Sequence, residues 1–67
     1  MIRYFLKAAD GRMAGYHTRT GAFLTANTEL AYVWDSPIDA AFCRPLYERA
    51  FGLDLTIEQK NFSVSAE

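Results

Sequence analysis

Apolar and polar side chains alternate from the start of the chain. Ile2, Tyr4, Leu6 and Ala8 fall on one parity, and Arg3, Phe5 and Lys7 on the other. A period of two predicts a strand over 2–8 with one face turned to a core. Asp10-Gly11 follows, a pair suited to a two-residue type I′ turn, because both central residues there need positive φ. A hairpin closed at that turn sets Ala9 opposite Arg12, Leu6 opposite Gly15, Phe5 opposite Tyr16 and Tyr4 opposite His17. The second strand then spans 12–18 and ends at Thr20-Gly21. Ala22-Phe23-Leu24-Thr25 reads as an irregular connection whose Phe23 plugs into the core, and Ala26-Asn27-Thr28-Glu29 as a turn. Leu30-Ala31-Tyr32-Val33-Trp34 is rich in residues that favour pleated sheet and predicts the third strand.

The period then changes. Ser36 is suited to cap a helix, Pro37 to its first position, and Asp39 to its positive end. Gly52 is suited to the position just past the end, so the helix spans 37–51. Ile38, Ala41, Phe42, Leu46 and Ala50 recur at helical spacing and form the expected buried stripe, with Arg49 falling inside it. Ala40, Arg44, Tyr47 and Phe51 then lie on the opposite side. Pro45 removes a hydrogen bond in mid-helix and predicts a kink that would rotate the last turn. Leu53-Asp54-Leu55-Thr56-Ile57-Glu58 alternates again and predicts a fourth strand. Phe62 and Val64 lie on the other parity, which implies a bulge or turn at 59–61 or a tail that leaves the sheet, with Ser65-Ala66-Glu67 frayed. The architecture expected is α+β: a small antiparallel sheet, element order β-β-β-α-β, with one kinked helix packed on one face. Neither a repeat nor a linker interrupts the pattern, so residues 1–67 form a single domain.

Composition adds a constraint. At 67 residues, half of them apolar, the chain buries only about 60% of its unfolded surface. Its ten aromatic rings (one Trp, four Tyr, five Phe) outnumber what one sheet face and one helix stripe can cover. Surplus rings call for a partner, a covering tail near Phe62, or exposure to water. Tyr47 and Phe51 with Arg44 on the outer helix face, and the rings of Tyr32 and Trp34, have the composition of interface hot spots. These five are the candidate protein-binding residues, for another protein or for a homodimer seam.

Charge is uneven although the net value is −1. Arg3, Lys7, Arg12 and Arg19 face a lone Asp10 in the first twenty residues, and the remainder is acidic. Those four cations, interleaved with Phe5 and Tyr16, form a candidate nucleic-acid face. They serve equally as solvated charges that guard a sheet edge, and the net charge argues against a grip on DNA by the whole protein.

The rest of the inventory offers no catalytic set. His17 has no nucleophile or carboxylate placed beside it by sequence, Cys43 reads as a small buried hydrophobe, and Asp35 and Asp39 are explained by capping. The glycines at 11, 15 and 21 lack phosphate-loop spacing. One cysteine and one histidine support neither a disulfide nor a zinc cluster. No cofactor, metal or enzymatic activity is expected. The start of the chain lacks a leader pattern, no stretch is long enough to span a membrane, and a reducing cytoplasm is the expected compartment.

Two resemblances bear on function. Tyr4-Phe5-Leu6-Lys7, Gly21-Ala22-Phe23-Leu24-Thr25 and Ala31-Tyr32-Val33-Trp34-Asp35-Ser36-Pro37-Ile38-Asp39-Ala40-Ala41 resemble the layout of small phage and prophage accessory proteins, over about residues 2–50. Some such proteins inhibit host defence, anti-CRISPR proteins among them. The resemblance implies a cytoplasmic, non-enzymatic module that binds or inhibits a host or phage protein. The helix start Ser36-Pro37-Ile38-Asp39-Ala40 after a glycine-turn hairpin also resembles the three-stranded-sheet DNA-binding domain of phage integrases and plant AP2 proteins. That resemblance implies, as the alternative, a DNA reader using Arg3, Lys7, Arg12 and Arg19.

Overall fold

The computed structural model describes residues 1–61. Four antiparallel strands, β1 (Ile2–Ala8), β2 (Met13–His17), β3 (Gly21–Thr25) and β4 (Leu55–Asn61), form one sheet in the order β3-β2-β1-β4. Helix α1 (Pro37–Phe51) precedes β4, so the α+β class and the element order β-β-β-α-β are as the sequence predicts. The expectations for Phe62, Val64 and Ser65-Ala66-Glu67 lie outside the described residues.

The first hairpin closes one residue longer than Asp10-Gly11 alone predicts. Gly11 N–H donates to the Ala8 carbonyl (3.0 Å) and Ala8 N–H donates to the Arg12 carbonyl (2.7 Å), which makes a three-residue loop. Gly11, at φ +95°, takes the bulge position such loops need. Asp10 stabilises the loop by accepting from Arg12 N–H (3.0 Å) and from its guanidinium (2.8 Å). Lys7 therefore pairs with Met13, a shift of one from the predicted register. A one-residue shift exchanges faces, and it turns Ala14 toward the Leu6 side, where both are fully buried.

β1 pairs along its whole length with β4, from Ile2–Asn61 to Ala8–Leu55. No bulge occurs at 59–61, and β4 starts two residues later than predicted. Beyond Lys7–Met13 the strands β1 and β2 separate, and the connector before the helix enters the gap. Tyr32 N–H donates to the Ala14 carbonyl on β2 (3.0 Å), while Trp34 and Tyr4 exchange two backbone bonds on β1 (2.8 and 2.9 Å). The third strand is thus Gly21–Thr25, hairpinned onto β2 from His17–Gly21 to Met13–Thr25. The stretch predicted as that strand instead contributes Leu30 to a 3₁₀ turn (Thr28–Leu30) and the single bridge at Trp34. Its sheet-favouring residues are satisfied by bonds to two strands that diverge, so no ladder grows from them.

The helix boundaries match prediction. Ser36 Oγ accepts from Ile38 N–H (3.2 Å), and Gly52, at φ +68°, donates to the Glu48 carbonyl (2.8 Å). The face turned to the sheet does not match. Ala40 is fully buried, and Tyr47 and Phe51 pack on the core of Leu6, Ala8, Ala14 and Leu55. Ile38, Ala41, Phe42, Leu46 and Ala50 are exposed, so the predicted buried stripe is the outer one and Arg49 meets no apolar interior. The short Gly52–Asp54 link and a bond from Leu55 N–H to Glu48 Oε2 (2.8 Å) tie the helix end to β4. That tie and the ring contacts of Tyr47 fix the rotation. Phe5 and Met13 are buried on the sheet face away from the helix, as their parity requires.

Candidate functional site

Four rings line up between connector and helix. Tyr32 and Trp34 lie 4.8 Å apart, Trp34 meets Tyr47 edge-on at 6.0 Å, and Tyr47 lies 6.1 Å from Phe51. Each such pair adds about 0.5–1.5 kcal/mol beyond its buried area. The inner end of this ladder rests on the core. Its outer end opens into a groove of about 340 Å³ lined by Tyr16, Ala22, Tyr32, Trp34, Cys43, Leu46 and Tyr47.

The elements that build the groove are those the register displaced. Tyr16 and Ala22 are cross-strand partners on β2 and β3. Tyr32 and Trp34 stand beside them because the connector is threaded into the sheet, and Cys43, Leu46 and Tyr47 descend from the helix at i, i+3, i+4 spacing. Tyr16 and Tyr32 are exposed at the rim, while Trp34 and Tyr47 are half-buried at the wall.

Burial raises the Tyr47 phenol above the ordinary value of 10.0, with Cys43, Tyr32 and Tyr16 adding to the effect. The neutral phenol is the form the folded state favours. Its stabilising contribution is complete below the unfolded value and is lost as pH rises through the folded one. In an absorbance titration the ionisation of tyrosine should finish at higher pH in the native protein than in urea, and Tyr47→Phe should remove that late portion. A native profile unchanged by Tyr47→Phe would place the polar end of this ring in water.

Of the five residues expected to bind protein, the structure brings Tyr32, Trp34, Tyr47 and Phe51 into one ladder, and Arg44 lies exposed away from the groove lining. Tyr47 and Phe51 face inward rather than outward, a correction that follows from the rotation of α1. The sequence reading missed Tyr16, Ala22, Cys43 and Leu46 as lining residues, and Cys43, expected to be a buried hydrophobe, is half-buried in the groove wall. Tyr16 carried a signal, since a one-residue longer loop at Gly11 moves it from the neighbourhood of Phe5 to that of Tyr4.

The basic residues do not form an open array. Arg3 pairs with Asp35 at 2.9 Å and Arg12 with Asp10 at 2.8 Å. The Asp10 carboxyl is held below its ordinary value, first by the Arg12 backbone N–H and then by its guanidinium. Arg19 is exposed at the β2–β3 turn, where its N–H donates to His17 Nδ1 (3.1 Å), so the histidine closes a turn. Lys7 lies half-buried on β1. Among the described residues no three of His, Cys, Asp or Glu are grouped to hold a metal ion, and no helix is long and apolar enough to cross a membrane. Compared with known proteins, the chain matches no family model, no curated protein and no solved structure.

Proposed function

We propose that the protein is a non-enzymatic binding module whose groove takes apolar side chains from a segment of another protein. The observation that carries this reading is the open aromatic groove, with Tyr16 and Tyr32 exposed at its rim and Trp34 in its wall. Aromatic anchors with few rotatable bonds give contact area at small entropic cost, which is why Tyr and Trp dominate binding hot spots. The phage-accessory layout supports a host or phage protein as the partner, with inhibition as the outcome. It also supports a cytoplasmic setting, where Cys43 stays a thiol.

Trp34 is the single tryptophan, so its emission reports on the groove. Random peptides displayed on yeast should enrich for sequences with an aromatic or aliphatic anchor. Purified winners should shift Trp34 emission and lose at least about tenfold in affinity with Tyr16→Ala or Tyr32→Ala. Peptides that bind the double variant as well as the parent would overturn the reading. Titration with duplex DNA at rising salt tests the alternative. Tight binding that weakens steeply with salt and is lost in Arg12→Ala and Arg19→Ala would assign the basic hairpin instead.

A further inference from the structure

The outer face of α1 stays in water although it is apolar along its length. Ile38, Phe42 and Leu46 succeed one another at one-turn spacing and are 77%, 79% and 60% exposed. Ala41 and Pro45 extend the stripe and are exposed as well. A large apolar side chain left uncovered forgoes about 1.5–3 kcal/mol relative to full burial, so this stripe is a strong inducement to association.

The ends of the stripe carry opposite charge. Asp39 borders its N-terminal end, with Asp35 just before the helix, and Arg49 lies at its C-terminal end. Asp39 and Arg49 make no ion pair among the described residues. Asp35 holds Arg3, yet its side chain is 81% exposed. We propose that a second copy of this chain packs on this face, the two α1 helices running antiparallel about a twofold axis.

The charge order selects that arrangement. At 1.5 Å per residue Asp39 and Arg49 are about 15 Å apart along the helix. Antiparallel overlap sets each cationic end beside the acidic end of the other copy and opposes the two helix dipoles. Parallel overlap sets like charges together. A twofold seam uses the same patch twice, so one stripe with an acidic and a basic end is its own complement, and Phe42 meets the Phe42–Leu46 stretch of the other helix. Leu46 belongs both to this stripe and to the groove lining, so the seam would border the groove along one side, while the rim rings Tyr16 and Tyr32 lie on other elements.

Sedimentation equilibrium of the full chain from about 10 μM to about 1 mM at low salt tests it. The mass should rise from 7.6 kDa toward twice that value. Phe42→Glu should hold it at 7.6 kDa throughout. Circular dichroism should stay unchanged, because the side chain it replaces is in solvent. Asp39→Arg or Arg49→Asp alone should weaken association at least about tenfold, and the two combined should restore it to within about threefold. A monomer at every concentration, a dimer indifferent to Phe42→Glu, or no recovery in the double exchange would overturn the proposal. So would a full chain that stays monomeric while a chain ended after Asn61 associates, because residues 62–67 would then be the cover.

Discussion

Truncating Leu6 to alanine should lower the stability of the fold by about 3 kcal/mol, within the 2–5 kcal/mol usual for a buried leucine. Among the described residues Leu6 is the one large side chain that is wholly sequestered, and its neighbours in the core include Ala8 and Ala14. Alanines cannot extend into a vacated volume, so the hole persists, and residual cavity volume sets the cost of such substitutions. Trp34 and Tyr47 could settle inward only by giving up their edge-on contact. A domain of 67 residues has about 3–10 kcal/mol in total. Leu6→Ala therefore removes a large share of the margin. Urea unfolding followed by circular dichroism should show a lower midpoint with an unchanged slope. A loss under about 1 kcal/mol would mean that the helix and sheet are not clamped at this residue.

How much of this was legible in the sequence depends on whether local chemistry or packing decides each feature. The helix ends are local. Ser36, Pro37 and Gly52 act through hydrogen bonds and backbone angles of their own segment, and the predicted boundaries hold at both. The hairpin is local too, but Asp10-Gly11 is compatible with two loop lengths. The longer one wins because Asp10 can accept two bonds from Arg12 within it. From that one residue follows the exchange of faces on β2, hence the burial of Ala14 and the rim position of Tyr16.

The helix face is decided by packing alone. Ile38-Phe42-Leu46 and Ala40-Tyr47-Phe51 are both apolar rows, so periodicity names two candidate seams and gives no ground for choosing between them. Side-chain size favoured the first row. The structure takes the second because Ala40 lets the helix start lie close to the sheet, Trp34 and Tyr47 meet edge to face, and Glu48 accepts from Leu55 N–H. The expectation of more rings than the interior can hold survives this reversal, with different rings outside. Tyr16, Tyr32 and Phe42 are exposed, and Tyr47 and Phe51 are drawn in. The connector shows the same logic. Tyr32-Val33-Trp34 has the makeup of a strand, but the room available to it is a gap between β1 and β2, which nothing local to 30–34 encodes.

That gap depends on a glycine, and Gly15→Ala should cost about 2–4 kcal/mol, as overpacking with broken backbone bonds does. Gly15 has no left-handed backbone angle to maintain, so its requirement is one of space. A methyl group there would lie 2.5 Å from the Phe23 ring and 2.7 Å from the Leu30 carbonyl. The ring can swing away, but the carbonyl belongs to the 3₁₀ turn and cannot yield without moving the connector behind it. Moving the connector strains the Tyr32–Ala14 bond and the paired bonds of Trp34 with Tyr4. The substitution should therefore destabilise the fold and also shift Trp34 emission to the red in molecules that remain folded. Gly11→Ala separates this from an ordinary glycine effect. Its new methyl meets nothing within 4 Å, and its cost is backbone strain at positive φ, about 1–2 kcal/mol, with Trp34 emission unchanged. If the two variants lost equal stability and neither moved the tryptophan signal, the connector would not be wedged against β2, and the groove that rests on Trp34 would lose its wall.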